Sequence, residues 1–181
     1  MREFYDLLVF GQECIEFGEK IGFKKACFSE VNYCEPKNVI GITPLKGKIN
    51  IFLGGDLKIN QAAVRKKIQV LLNPVNEKTK NFDSATARIA KENNICIGIS
   101  LSSILEKKGI DRIKLLKNLM FMVKICMKMK TDLTILSGAR NKLEMRPPRD
   151  LASVLIMLGL TEPQALWAIS ETPKALLEEL E

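Results

Sequence analysis

The chain has 181 residues, 46% of them hydrophobic and 27% charged, a balance that supports a folded core and argues against disorder. It carries 28 Lys and Arg against 21 Asp and Glu, a formal charge of +7, which opens the way to a polyanionic partner. It holds no histidine, and this excludes Ser-His-Asp and Cys-His nucleophilic sites, His-ligated zinc and imidazole acid–base chemistry.

Taken in order, the chain alternates short apolar runs with helical patterns. The start, MREFYDLLVFGQECIEF, has two acidic residues before its apolar run and no cleavage-site pattern, so it does not read as a signal peptide. Phe4–Phe10 reads as a strand and Glu13–Ile21 as a helix, followed by strands over Lys25–Ser29, Val39–Thr43 and Ile49–Leu53. A helix over Gln61–Lys67, with Asn60 as its N-cap, leads to a strand at Ile68–Leu72. A helix over Ser84–Asn93 with Asp83 as its N-cap precedes the strand Ile95–Leu101. The long helix Arg112–Lys130 precedes the strand Leu133–Ser137. Beyond this the chain turns helical. Pro148 suits a first turn, Thr161-Glu-Pro-Gln164 a capping box, and Thr172-Pro173 an N-cap with Pro at the first helical position.

Several of these strands are apolar without alternation, as in a parallel sheet covered on both faces. The pattern predicts a parallel α/β architecture with right-handed crossovers, either an open doubly wound sheet or a small barrel. No linker, repeat or low-complexity segment divides residues 1–181, which are expected to form a single domain. The most apolar long stretch, Ile113–Met129, is interrupted by four lysines and is too charged to span a bilayer. Cys14, Cys27, Cys34, Cys96 and Cys126 are scattered, with no CxxC pair, and read as reduced thiols in a cytoplasmic protein.

The positive charge belongs to the middle of the chain. Residues 36–149 hold 23 basic against eight acidic residues, whereas both ends are acidic. Lys114, Lys117, Lys124 and Lys128 share one stripe of the long helix, suited either to solubility or to a row of phosphate contacts. Arg140, Lys142, Arg146 and Arg149 follow a predicted strand, at the edge where sites gather in parallel α/β folds. Ser137 and Gly138 there would let a phosphate approach the backbone, while Arg146 or Arg149 could equally pair with Glu144 or Asp150. Lys78, Lys80 and Arg88 add cations on a loop and helix start, where Asp83 reads as a cap rather than an acid. No Walker, GxGxxG or aromatic RNA-recognition motif is present.

Two stretches carry a resemblance. Phe82–Leu105 (FDSATARIAKENNICIGISLSSIL) and Thr134–Pro173, the latter with the pattern SGA…E-x-R-x-P-R-D-L, closely resemble the family of archaeal ribonuclease P protein component 3. That family includes the eukaryotic thirty-kilodalton-type subunit, and the similarity runs over roughly the C-terminal two-thirds of the chain. It implies a TIM-barrel-like fold, to which the pattern read above gives about seven parallel strands and a helical C-terminal end. It also implies a subunit that binds the ribonuclease P RNA, pairs with protein component 2 among other subunits, and meets precursor tRNA indirectly during 5′-leader removal.

The barrel is similar to that of the polymerase and histidinol phosphatase phosphoesterases, whose first strand holds metals through D-x-H-x-H. Here that strand reads Asp6-Leu7-Leu8-Val9-Phe10, and Leu8 and Phe10 ligate no metal. The resemblance therefore implies a binding subunit with no catalytic or metal-ligating residue, the Mg²⁺ being carried by the RNA. The second departure is Glu35–Lys48, too short for a crossover helix, which argues against regular closure of the barrel. The competing functions are a metal-dependent phosphoesterase on the same barrel and a small-molecule barrel enzyme. The first needs a carboxylate cluster, and the second an acid–base pair at strand ends that instead carry mostly Ser, Asn and Gly.

Overall fold

One set of strands feeds two apolar layers. Ile49 and Ile51 of one strand, Val70 and Leu72 of the next, and Leu8, Cys96 and Leu136 pack with one another on the inner side. Their neighbours Phe52, Leu71, Ile97, Ile99 and Ile135 point the other way, against helical Ala87, Leu119, Met122, Leu151 and Leu155. Successive side chains of a strand face opposite sides, so apolar runs without alternation fill both layers.

The computed structural model describes residues 2–35 and 43–179. Its strands are β1 (Tyr5–Asp6), β2 (Lys25–Ala26), β3 (Val31–Cys34), β4 (Ile49–Leu53), β5 (Val70–Leu72), β6 (Cys96–Ser100) and β7 (Leu133–Leu136). Its helices are α1 (Gln12–Lys20), α2 (Leu57–Ala63), α3 (Ser84–Glu92), α4 (Leu101–Glu106), α5 (Gly109–Met129), α6 (Pro148–Met157), α7 (Glu162–Ile169) and α8 (Glu171–Glu178). β1 pairs with β2, and β3 to β7 pair in chain order, every pairing parallel.

The two sheets meet where β7 returns to β1. Gly138 N–H donates to Leu8 O at 3.0 Å, Phe10 N–H donates to Ala139 O at 2.8 Å, and Val9 and Ala139 form a parallel bridge. No ladder joins β2 to β3 among the described residues. The arrangement is thus barrel-like, stitched at one seam and parted at the other. The lower end of the inner layer is stoppered by α8, whose Leu176 packs into it.

Local signals explain most boundaries. Asp83 caps α3, accepting from Thr86 N and Oγ1, both at 2.7 Å. Gln164 Oε1 accepts the Thr161 N–H at 2.9 Å, and Pro148 stands in the first turn of α6. α5 ends at Lys130, which turns left-handed with φ 56°.

Several expectations are corrected. Of the strand expected at Val39–Thr43, residues 39–42 lie outside the described residues and Thr43 is in no strand. The strand before β4 is instead Val31–Cys34, half-buried throughout, where Asn32 faces Asn50 and donates to its Oδ1 at 2.8 Å. A polar, half-exposed strand shows no apolar run. α2 starts earlier than expected because Asp56, not Asn60, caps it, accepting from Ile59 N at 2.8 Å. α4 was not anticipated, and Thr172 and Pro173 lie inside α8, which follows Ser170 directly. The strands expected at Phe4–Phe10, Lys25–Ser29 and Ile68–Leu72 are shorter than their apolar runs, since packing beyond the ladder also takes apolar residues.

Candidate nucleic-acid interface

The C-terminal ends of the strands open onto a cavity of about 360 Å³. Leu8, Leu53 and Leu72 form its apolar part, and Asn73, Ser100, Ser102 and Ser103 its polar wall. Asn73 follows β5 in a left-handed conformation (φ 47°) and braces that wall. Its Oδ1 accepts the Ser100 N–H at 2.9 Å, and its Nδ2 donates to Ser103 Oγ at 3.2 Å. The hydroxyls of Ser100 and Ser102 lie 2.8 Å apart, and Ser103 Oγ donates to Ser100 O at 2.7 Å. Across from them, Phe10 and Tyr33 meet edge to face with ring centres 5.1 Å apart.

Arg140 stands on the rim of this cavity. Its guanidinium pairs with Glu106 at 2.6 Å, and its backbone N–H donates to Glu144 at 2.8 Å. Lys142 is exposed, as is Arg149 in the first turn of α6. Arg146 is exposed too, yet its guanidinium donates to the carbonyls of Leu143 and Met145 at 2.8 and 2.7 Å. The loop is therefore stapled by Glu144 and Arg146, not by the pairing of Arg146 or Arg149 with Glu144 or Asp150. Ser137 and Gly138 are buried and open no approach for a phosphate. Ser137 donates its N–H to Asp6 Oδ1 of β1 and its hydroxyl to Leu8 O just beyond it, and at Gly138 (φ +62°) a Cβ would come within 2.6 Å of both the Ser100 and Ser102 hydroxyls.

A second group of cations lies on the α3 and α5 side. Lys114, Lys117, Lys124 and Lys128 are all exposed on α5, and Arg88 is exposed on α3, which packs against it. Asn118 of α5 donates to Asn76 O at 2.7 Å and so anchors the loop bearing Lys78 and Lys80. Lys80 sits 4.8 Å above the Phe121 ring centre, a cation–π contact on the helix surface. Met120, Phe121 and Met127 are exposed among the lysines. Between the two groups lies Lys107, which the sequence reading did not single out and which pairs with Glu77 at 3.1 Å. Arg140–Glu106 and Lys107–Glu77 thus follow one another along the rim.

Asp6 lies beneath this rim, fully buried. Its Oδ1 accepts the N–H groups of Leu8 at 3.3 Å and Ser137 at 3.1 Å, while Oδ2 has no partner. Burial pushes the carboxyl up to about 6, against the pull of the Ser137 and Leu8 hydrogen bonds. Among the described residues no three His, Cys, Asp or Glu side chains gather as a metal site. No described helix is long and apolar enough to cross a membrane.

The family model RNase P subunit p30 matches residues 30–181. The chain belongs to that family. It is 32% identical over 128 residues to ribonuclease P protein component 3 of Thermococcus gammatolerans, covering 70% of this chain and 60% of that one. With the component 3 protein of Methanosarcina acetivorans the identity is 30%, over 68% of this chain and 52% of that one. The chain therefore spans just over half the length of these relatives. A chain in a cryo-EM structure of archaeal ribonuclease P with mature tRNA superposes with a TM-score of 0.65 at 29% identity, over 73% of this chain and 57% of that one. A prolidase bound to N-methylphosphonate-L-proline (TM-score 0.56, 10% identity, 72% of this chain and 33% of that one) shares the TIM-barrel-like fold alone. The matched residues 30–181 include the E-x-R-x-P-R-D-L segment, and the two seams show how the barrel-like sheet is assembled in this member.

Proposed function

We propose that this p30-family chain is a protein subunit of a cytoplasmic ribonuclease P, the endoribonuclease that removes the 5′ leader of precursor tRNA. The observation that carries the reading is the family match over residues 30–181. It is supported by exposed cations in two groups joined along one rim, a distribution suited to phosphates on a folded RNA. The chain contributes binding and no catalytic group. Asp6, the single acid left on the first strand, spends one oxygen on backbone N–H groups and has Leu8 and Phe10 where ligands would be needed. Mg²⁺ carried by the RNA would supply the hydrolytic chemistry. Lys78, Lys80, Arg88, Arg140, Lys142, Arg146, Arg149 and the α5 lysines are the proposed phosphate contacts, and the exposed apolar residues of α5 are offered to protein component 2 or another subunit.

Reconstitution tests the reading. The chain is added to the ribonuclease P RNA of its own source with the remaining protein subunits, and leader removal is measured against its omission. Stimulation on addition, with no cleavage by the protein alone in Mg²⁺ or Mn²⁺, is the expected result. Metal-dependent cleavage of precursor tRNA by the protein alone, abolished in Asp6→Asn, would establish the phosphoesterase instead.

A further inference from the structure

We propose that the cavity at the C-terminal ends of the strands is a pocket for a single unpaired nucleobase of an RNA. The inference rests on the RNA-subunit reading and names what one site of that subunit holds.

Size comes first. A cavity of about 360 Å³ falls in the range of small-ligand pockets. Its apolar part, from Leu8, Leu53 and Leu72, offers a dry surface to a flat ring, and Phe10 and Tyr33 add aromatic surface beside it. Unpaired RNA bases are held in this manner, by stacking on aromatic side chains and by hydrogen bonds along the base edge.

The polar wall supplies those edge bonds. Between the Ser100 and Ser102 hydroxyls only one proton is used, so the other remains to donate. Asn73 uses one amide hydrogen on Ser103 and keeps a second, together with a lone pair on Oδ1. Ser100 begins α4, yet its hydroxyl makes no cap bond to that helix and turns to Ser102 instead. The pair is seated against the bare backbone of Gly138, where a Cβ would displace both hydroxyls. The wall is thus formed in advance.

Charge decides the class of ligand. Among the described residues the one cation lining the cavity, Arg140, is matched by Glu106, and Glu35 takes the Tyr33 hydroxyl at 2.7 Å. A site with this balance favours a neutral ring with donors and acceptors over a phosphate. The phosphates stay on the rim, beside Arg140 and Lys107.

The test uses the full chain, isotope-labelled, titrated with the four nucleoside 5′-monophosphates and with ribose 5-phosphate as the base-free control. At least one monophosphate should saturate with NMR shifts centred on the amides of Asn73, Ser102 and Ser103. Ribose 5-phosphate should bind about tenfold or more weakly, and Ser102→Leu, which fills the cavity without changing charge, should cost a similar factor. Tyr33→Leu repeats the arm should Ser102→Leu fail to fold. Equal binding of ribose 5-phosphate, shifts centred elsewhere, or no binding in the millimolar range overturns the proposal. A chain that binds ribonuclease P RNA yet no monophosphate loses the pocket alone, and a chain that binds neither loses the subunit reading as well.

Discussion

Asp6 accepts the backbone N–H of Ser137, 131 positions further along the chain, at 3.1 Å. A carboxylate on the two-residue strand β1 thereby holds the end of β7, beside the backbone bonds Gly138 N–H to Leu8 O and Phe10 N–H to Ala139 O. The buried acid thus serves as a stitch between the two ends of the chain's strand order.

The stitch makes stability depend on pH. In the fold the Asp6 carboxyl titrates at about 6, above its ordinary 3.8, because it is buried. Between those values the native state binds more protons than the unfolded chain. The contribution is therefore fully present below the ordinary value and is lost as pH rises through 6. The total is ~3 kcal/mol. Thermal melts should show lower stability at pH 7.5 than at pH 5, and Asp6→Asn should flatten that difference. An unchanged profile in Asp6→Asn would assign it to other groups. Asp83, held below its ordinary value because its Thr86 bonds outweigh burial, acts in the opposite direction and only under more acidic conditions.

Replacing Lys114, Lys117, Lys124 and Lys128 together by Gln should leave the melting temperature nearly unchanged, since exposed charges contribute little. Each lost phosphate contact should lower the log–log salt slope of RNA binding by about 0.7 to 0.9. An unchanged slope with weakened binding of a protein subunit would assign this face to protein.

The motif loop separates into two kinds of arginine. Arg146→Ala removes two carbonyl bonds and should cost ~1 kcal/mol of stability. Arg149→Ala should leave the melt alone and change only the salt slope. For Arg140 and Glu106, a double-mutant cycle should give a coupling below ~1 kcal/mol, as for other exposed pairs. Equal loss of stability at Arg149 and Arg146 would make the whole loop structural.

Asn60→Ala should be among the most damaging single changes. This side chain is completely buried, accepts the Gly55 N–H at 2.9 Å and donates to the carbonyls of Pro74 and Asn81 at 3.0 and 2.6 Å. Removing it strands three backbone groups, at ~3 kcal/mol or more. Denaturant unfolding measures this, and a loss below ~1 kcal/mol would mean that water replaces the amide.

Asn60 also shows where sequence reading stops. Asn60 and Asp56 are both good capping residues, and only the fold reveals that loops far along the chain claim the Asn60 amide, leaving Asp56 to cap α2. The parallel α/β alternation was legible because apolar runs fill both layers. β3 was not, since a half-buried strand with Asn32 at its centre lacks such a run. Lysine exposure on α5 followed from spacing alone. The Arg140–Glu106 pair spans 34 positions and depends on where α4 lies, an element with no sequence signal of its own. Ser and Asn at strand ends were visible as residue types, but the cavity they line exists only once β3, β5, β6 and the loop after β7 converge.

The stopper formed by α8 bears on how the chain is made. Every strand lining the inner layer has emerged by residue 136, while Leu176 arrives some 40 residues later. A ribosome releases ~5–20 residues per second, so seconds separate the synthesis of the last strand from that of the helix that stoppers the inner layer. During that interval the apolar cluster of Ile49, Val70 and Cys96 lacks Leu176, one of the residues it packs with in the fold. Sealing the inner core is therefore a late event in biosynthesis, separate from the pairing of the strands.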